Sequence, residues 1–74
     1  MEVTNDQKLL ANRIRTLCEE KGITNYTLAY KSSVPLGTII HIIKGESKNP
    51  GIFTITKICD GLEISLEEFF DGME

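Results

Sequence analysis

Catalysis has little to work with in this chain of 74 residues. His41 is its single histidine, no nucleophile pairs with it, no glycine-rich loop is present to cradle a phosphate, and so small a body leaves little room for a pocket. Cys18 and Cys59 lack the paired close spacing of a metal site and the density of a disulfide scaffold. Both fall on apolar helical faces and read as buried free thiols. No metal, cofactor or small-molecule ligand is expected. What the residue types do offer is anion binding. Residues 24–57 hold Lys31, Lys44, Lys48 and Lys57 against one acid, Glu46, a local charge of +3, although the whole chain carries −3. Residues 58–74 hold six acids and no base, and residues 1–23 balance. Local field rather than total charge sets attraction to phosphate, so a basic centre with an acidic tail suits a molecule with one phosphate-facing side. A solvated surface with uneven charge is the plainer alternative.

The elements that must position these groups follow from periodicity. Thr24 is placed to cap a helix beginning at Asn25, which leaves the first amides, at Asn25 and Tyr26, pointing outward at the positive end of the helix dipole, a ready phosphate site. Leu28 and Ala29 face inward, the small Ala29 lets another helix cross closely, Ser33 sits in a turn and Val34 plugs beneath it. Pro35, which has no amide hydrogen to lose, opens a second helix. There Ile39, Ile42 and Ile43 form one buried stripe, and Leu36, Gly37, Ile40, His41 and Lys44 occupy the opposite face, with Thr38 at its margin. Gly37 costs about 1 kcal/mol relative to alanine inside a helix, which suggests close approach of a partner or tolerated drift.

Upstream, Thr4 to Gln7 has the form of a capping box, starting a helix at about Asn5. Leu10, Ile14, Leu17 and Cys18 are its core stripe, Gly22 stops it in a left-handed cap, and Ile23 folds back over the last turn. Arg13 and Arg15 lie off the stripe and read as solvated charges. Downstream, Gly45 ends the third helix, and Glu46 to Asn49 make a polar loop in which Lys48 is a candidate clamp on a phosphate backbone. A fourth helix follows Pro50, with Ile52, Ile55, Ile58, Cys59 and Leu62 as its stripe. Ser65 and Glu68 form a second capping box, and Leu66, Phe69 and Phe70 pack a short fifth helix under the rest.

With 41% apolar and 26% charged residues the composition is that of an ordinary globular protein. Residues 1–74 are expected to form one domain that buries about 60% of the surface its unfolded chain exposes. No apolar run approaches the roughly 18 residues of a membrane span, and the first residues are polar, so a cytoplasmic protein is expected.

The stretch from Thr24 to Gly45 resembles the helix-turn-helix of phage repressor and Cro-like (Xre-type) regulators. The resemblance runs from Arg13 to Phe70 without a gap, carried by Leu28-Ala29, Val34, Ile39 to Gly45, Asn49-Pro50, Ile58 to Leu62 and Ser65 to Phe70. It implies an all-α, five-helix, lambda-repressor-like domain with no catalytic activity, acting as a sequence-specific transcriptional regulator of double-stranded DNA. The helix at about 35–44 would read the major groove, with Leu36, Gly37, Thr38, Ile40 and His41 facing bases and Thr24, Asn25, Lys44 and Lys48 holding phosphate. Leu36 and Ile40 suit thymine methyl groups, and His41 can donate to a guanine N7 or O6. The family more often carries Gln at the position of Asn25 and Gly at that of Ser33. It also carries a buried Arg–Glu pair where Cys18 and Ile43 stand here, so both members have become apolar together and no lone charge is left buried. Each good base contact is worth about 1–3 kcal/mol and the phosphate contacts per copy are few, which points to a homodimer on a two-fold site. The alternative is a helix-turn-helix module that uses exposed Leu36 and Ile40 to bind protein and not DNA.

Overall fold

The computed structural model describes residues 4–46 and 50–73, with side chains from Asp6 onward. Among these residues every regular element is helical: α1 (Thr4–Lys21), α2 (Asn25–Ser32), α3 (Leu36–Ile43), α4 (Ile52–Leu62) and α5 (Leu66–Asp71). Helix α1 begins within a residue of the expected position. The capping box at Thr4 depends on a side chain outside the described residues.

One core holds the five helices together. Ile14, Leu17 and Cys18 of α1 meet Leu28 and Ala29 of α2, Val34, the stripe Ile39, Ile42 and Ile43 of α3, Ile55, Ile58, Cys59 and Leu62 of α4, and Phe69 of α5. Cys18 and Ile43 are both buried in that cluster, at 5% and 8% exposure, so the α1–α3 junction is apolar where an ion pair would have to be desolvated. The most extensive helix contact is α2 on α4, and Gly61 lies at a close approach within it. A Cβ built there would lie 2.9 Å from both the backbone N and the Cβ of Ser32. The buried Ser32 hydroxyl turns back to donate to the Leu28 carbonyl at 2.7 Å, so the crossing leaves no polar group orphaned.

Four helices stop on a left-handed residue: Gly22, Ser33, Gly45 and Glu63, with φ of 67°, 60°, 74° and 62°. After α1 the Ile23 amide reaches the Cys18 carbonyl at 3.0 Å and the Gly22 amide reaches Glu19 at 3.2 Å, the paired bonds that close a helix end on itself. Ile23 then packs over the last turn as its position suggests. At α5 the box is complete: the Ser65 hydroxyl accepts from the Glu68 amide, and the Glu68 carboxylate accepts from the Ser65 amide.

The structure corrects four expectations. Ile52 is 58% exposed and Phe70 47% exposed, so the stripes of α4 and α5 each overrun the core by one residue. Pro35 is the cap of α3 and not its first helical residue; its ψ of 141° is extended, while its carbonyl accepts the Thr38 and Ile39 amides at 3.0 and 3.1 Å. Neither arginine is merely solvated. Arg13 donates through Nε to the Phe69 carbonyl and through Nη2 to the Glu68 carbonyl, both at 2.8 Å, tying α5 to α1. Arg15 donates through Nη2 to the Ile43 carbonyl at 2.7 Å and through Nη1 to the Asn12 side chain at 3.0 Å.

Candidate nucleic-acid interface

The α2–α3 unit presents two kinds of group, one at the start of α2 and one along the exposed face of α3. At the start of α2 the Thr24 hydroxyl accepts from the Thr27 amide at 3.0 Å and donates to the Thr27 hydroxyl at 3.1 Å. The Leu28 amide reaches the Thr24 carbonyl at 2.9 Å. That arrangement satisfies the third and fourth amides and leaves those of Asn25 and Tyr26 without an intrahelical partner, at the positive end of the helix dipole. Thr24 therefore acts by shaping the helix end, its own hydroxyl proton being turned to Thr27. Asn25 is half-buried at the first helical position.

Helix α3 exposes the other set. Leu36, Gly37, Thr38, His41 and Lys44 face solvent, while Ile40 is half-buried on the shoulder of the helix. A Cβ at Gly37 would meet nothing within 4 Å, so no packing inside the protein demands glycine there. His41 Nε2 stands 3.7 Å from the Glu46 carboxylate, both side chains more than half exposed, and the two form an ion pair only when the imidazole is protonated. Lys44 has no acidic partner among the described residues, and Lys48 lies outside them. Lys31 sits 3.8 Å from Glu63. Both thiols are buried and free. Burial pushes the Cys18 and Cys59 thiols up from the ordinary range, Cys59 with a further push from the charge of Asp60. Among the described residues no group of acidic, histidine and cysteine side chains is arranged to hold a metal ion.

Two exposed tyrosines escaped the sequence reading. Tyr26 and Tyr30, 73% and 85% exposed, line with Thr27, Ala29 and Leu36 an open groove of about 450 Å3 between α2 and the start of α3. Their i, i+4 spacing on the side of α2 opposite Leu28 was the available signal. Elsewhere Leu10, Pro50, Ile52, Ile55, Phe70 and Met73 line a second open groove, of about 400 Å3.

The family model for the Cro/C1-type helix-turn-helix DNA-binding domain matches residues 13–72. The chain belongs to that family. Solved structures agree with the Cro/C1-type assignment. A tyrosine-to-phenylalanine variant of the restriction-modification controller protein C.Esp1396I is 31% identical, with a TM-score of 0.85 over 90% of this chain and 84% of that one. An arginine-to-alanine variant of the same controller is 32% identical, with a TM-score of 0.81 over 88% and 85%. A transcriptional regulator of the HTH_3 family from Vibrio cholerae is 30% identical with a TM-score of 0.85; 95% of this chain matches 39% of that one. No curated protein sequence matches the chain. Cro/C1-type domains are non-catalytic DNA-binding regulators of transcription, and the five-helix fold expected from the resemblance is the fold observed. Among the described residues no helix is long and apolar enough to cross a membrane.

Proposed function

We propose that residues 1–74 form a single helix-turn-helix domain that acts as a cytoplasmic, sequence-specific regulator, reading the major groove of double-stranded DNA with α3 as a homodimer. The observation that carries this is the combination, within one α2–α3 unit, of α2 amides without intrahelical partners and of Lys44, which has no acidic partner among the described residues, with an exposed α3 face. Phosphate contacts fix register and base-edge contacts specify, and a reader needs both together. Asn25, Lys44 and Lys48 are assigned to phosphate, with Thr24 holding the helix end. Leu36, Gly37, Thr38, Ile40 and His41 are assigned to base edges. Leu36 and Ile40 are suited to thymine methyls, and the open space at Gly37 lets the groove floor approach the backbone.

The face that must stay free for DNA directs the second copy elsewhere. The largest apolar exposure away from α2 and α3 is Ile52 and Phe53 at the start of α4 with Phe70 of α5. Exposed Lys57 lies one turn from Phe53 and exposed Asp71 follows Phe70, opposite charges that a self-complementary two-fold contact can pair. We assign this flank to the partner copy.

Selection from a random duplex pool tests the proposal. An enriched site with two related halves is the expected outcome. Ile40→Ala then lowers affinity only where a thymine lies beneath it, by about fivefold for ~1 kcal/mol, and His41→Ala relaxes preference at one neighbouring base pair. An Ile40→Ala variant with unaltered DNA affinity on every duplex and weakened self-association identifies α3 as a protein interface instead.

A further inference from the structure

Helix α3 has to be held at a fixed angle if its side chains are to meet base edges, and the device that holds its far end is not one the family resemblance supplies. An α-helix leaves its last four carbonyls unsatisfied. In α3 the Lys44 amide takes the Ile40 carbonyl at 2.9 Å, the Glu46 amide takes His41 at 3.0 Å, and the Gly45 amide takes Ile42 at 3.0 Å. The Lys44 cap and the left-handed turn at Gly45 thus use three of the four between them. The fourth, Ile43, is taken by Nη2 of Arg15 at 2.7 Å, from a residue 28 positions earlier in the chain. The guanidinium is itself held by Asn12, one turn back along α1, at 3.0 Å. It places a permanent positive charge at the negative end of the α3 dipole.

We infer that Arg15 is a positioning residue for DNA recognition. It fixes the C-terminal end of α3 to α1, in place of the Arg–Glu pair that the apolar residues Cys18 and Ile43 cannot form. The inference rests on α3 being the reading helix. Arg15 touches no base in this role; it works through the backbone at Ile43, between the exposed His41 and Lys44. Losing it lets the last turn of α3 shift, which misaligns base contacts but leaves phosphate attraction in place.

The test uses the full chain with Arg15→Ala, Arg15→Lys and Asn12→Ala, measured on the selected duplex and on an unselected duplex across a salt series. Arg15→Ala is expected to weaken the selected complex about tenfold, the worth of one good base contact. It should change the unselected complex by less than about threefold and leave the salt slope unaltered. Arg15→Lys, which keeps a cationic donor within reach of the carbonyl, recovers most of the discrimination, and Asn12→Ala loses part of it. Hydrogen exchange without DNA reads the clasp separately: in Arg15→Ala the amides of Lys44, Gly45 and Glu46 exchange faster while those of α4 do not. A salt slope lowered by about 0.9, one phosphate contact, or equal weakening on both duplexes overturns the inference, since Arg15 would then be a clamp on DNA. Unchanged exchange at the end of α3 overturns it as well, and so does exchange that quickens equally in α4, since Arg15 would then hold the whole fold and not the end of α3. If Arg15→Ala shows the exchange effect while the wild-type chain shows no preference among duplexes, the clasp stands and the DNA-reading proposal beneath it is removed.

Discussion

Replacing Gly61 with alanine should destabilise the protein, against the usual direction of a glycine-to-alanine change in a helix. In an open helix the substitution gains about 1 kcal/mol. At Gly61 the added carbon would stand 2.9 Å from the Ser32 backbone N, 2.9 Å from its Cβ and 3.1 Å from its Cα. Comfortable carbon contacts lie at about 3.5–4.0 Å, so α2 and α4 must part by roughly 0.5–1 Å. The obstacle is backbone, which no rotamer change can move. Overpacking of this kind costs about 1–3 kcal/mol, and parting the helices also loosens Leu28 against Ile58 and Leu62. The propensity gain offsets part of this, which leaves a net loss of up to about 2 kcal/mol. A domain of this size loses about 4–8 °C of Tm for each kcal/mol, so a thermal melt followed by circular dichroism should show a fall of up to roughly 16 °C. Gly37→Ala, with nothing within 4 Å of the new carbon, is the control and should melt no lower than wild type. A Gly61→Ala protein that melts higher than wild type would refute the close-crossing argument.

Ser33→Gly should raise stability by up to about 1 kcal/mol, because serine holds a φ of 60° that only glycine adopts without a steric cost; a thermal melt reads it. Lys44→Ala should weaken binding to all duplexes about equally and lower the slope of log K against log salt by about 0.9, measured by fluorescence anisotropy in a salt series. Phe53→Ser, at a position 79% exposed, should leave the melting of the protomer nearly unchanged while weakening self-association in sedimentation equilibrium. Raised thiol pKa values at Cys18 and Cys59 mean that the folded chain keeps its protons where the unfolded chain has lost them. Stability is therefore full below the ordinary thiol range and declines as pH climbs through it, and native alkylation at pH 8 should be far slower than in denaturant.

The parts of the molecule that announce themselves in sequence are those governed by neighbours a few residues away. Gly22 and Gly45 end helices because of their own backbone freedom, Ser65 and Glu68 cap each other, and the isoleucines of α3 repeat with the helix. Long-range polar contacts leave no such trace. Arg13 and Arg15 stand off the apolar stripe of α1 just as solvated arginines would, and their partners are carbonyls of residues 28 to 56 positions away. Nothing in the side chains of Ile43 or Phe69 advertises a carbonyl in need of a donor. Periodicity also cannot say where a core stops, which is why Ile52 and Phe70 continue a stripe into solvent. Gly61 carried half a signal: glycine inside a helix implies close approach, but the identity of the approaching helix is a property of the fold.

Helix α3 is eight residues long, bounded by Pro35 and by the left-handed turn at Gly45. At 1.5 Å per residue it measures about 12 Å, and at 3.4 Å per base pair that length faces about four base pairs. Four fully specified positions carry about 8 bits of information and two copies about 16, whereas singling out one site among roughly a million competitors takes about 20. Neither end can be extended without breaking the cap that ends the helix, so the shortfall is written into its length. With α3 as the reader, an operator for this protein would have to encode the remaining bits outside the two half-sites, in the shape and stiffness of the DNA between them or in a second operator alongside.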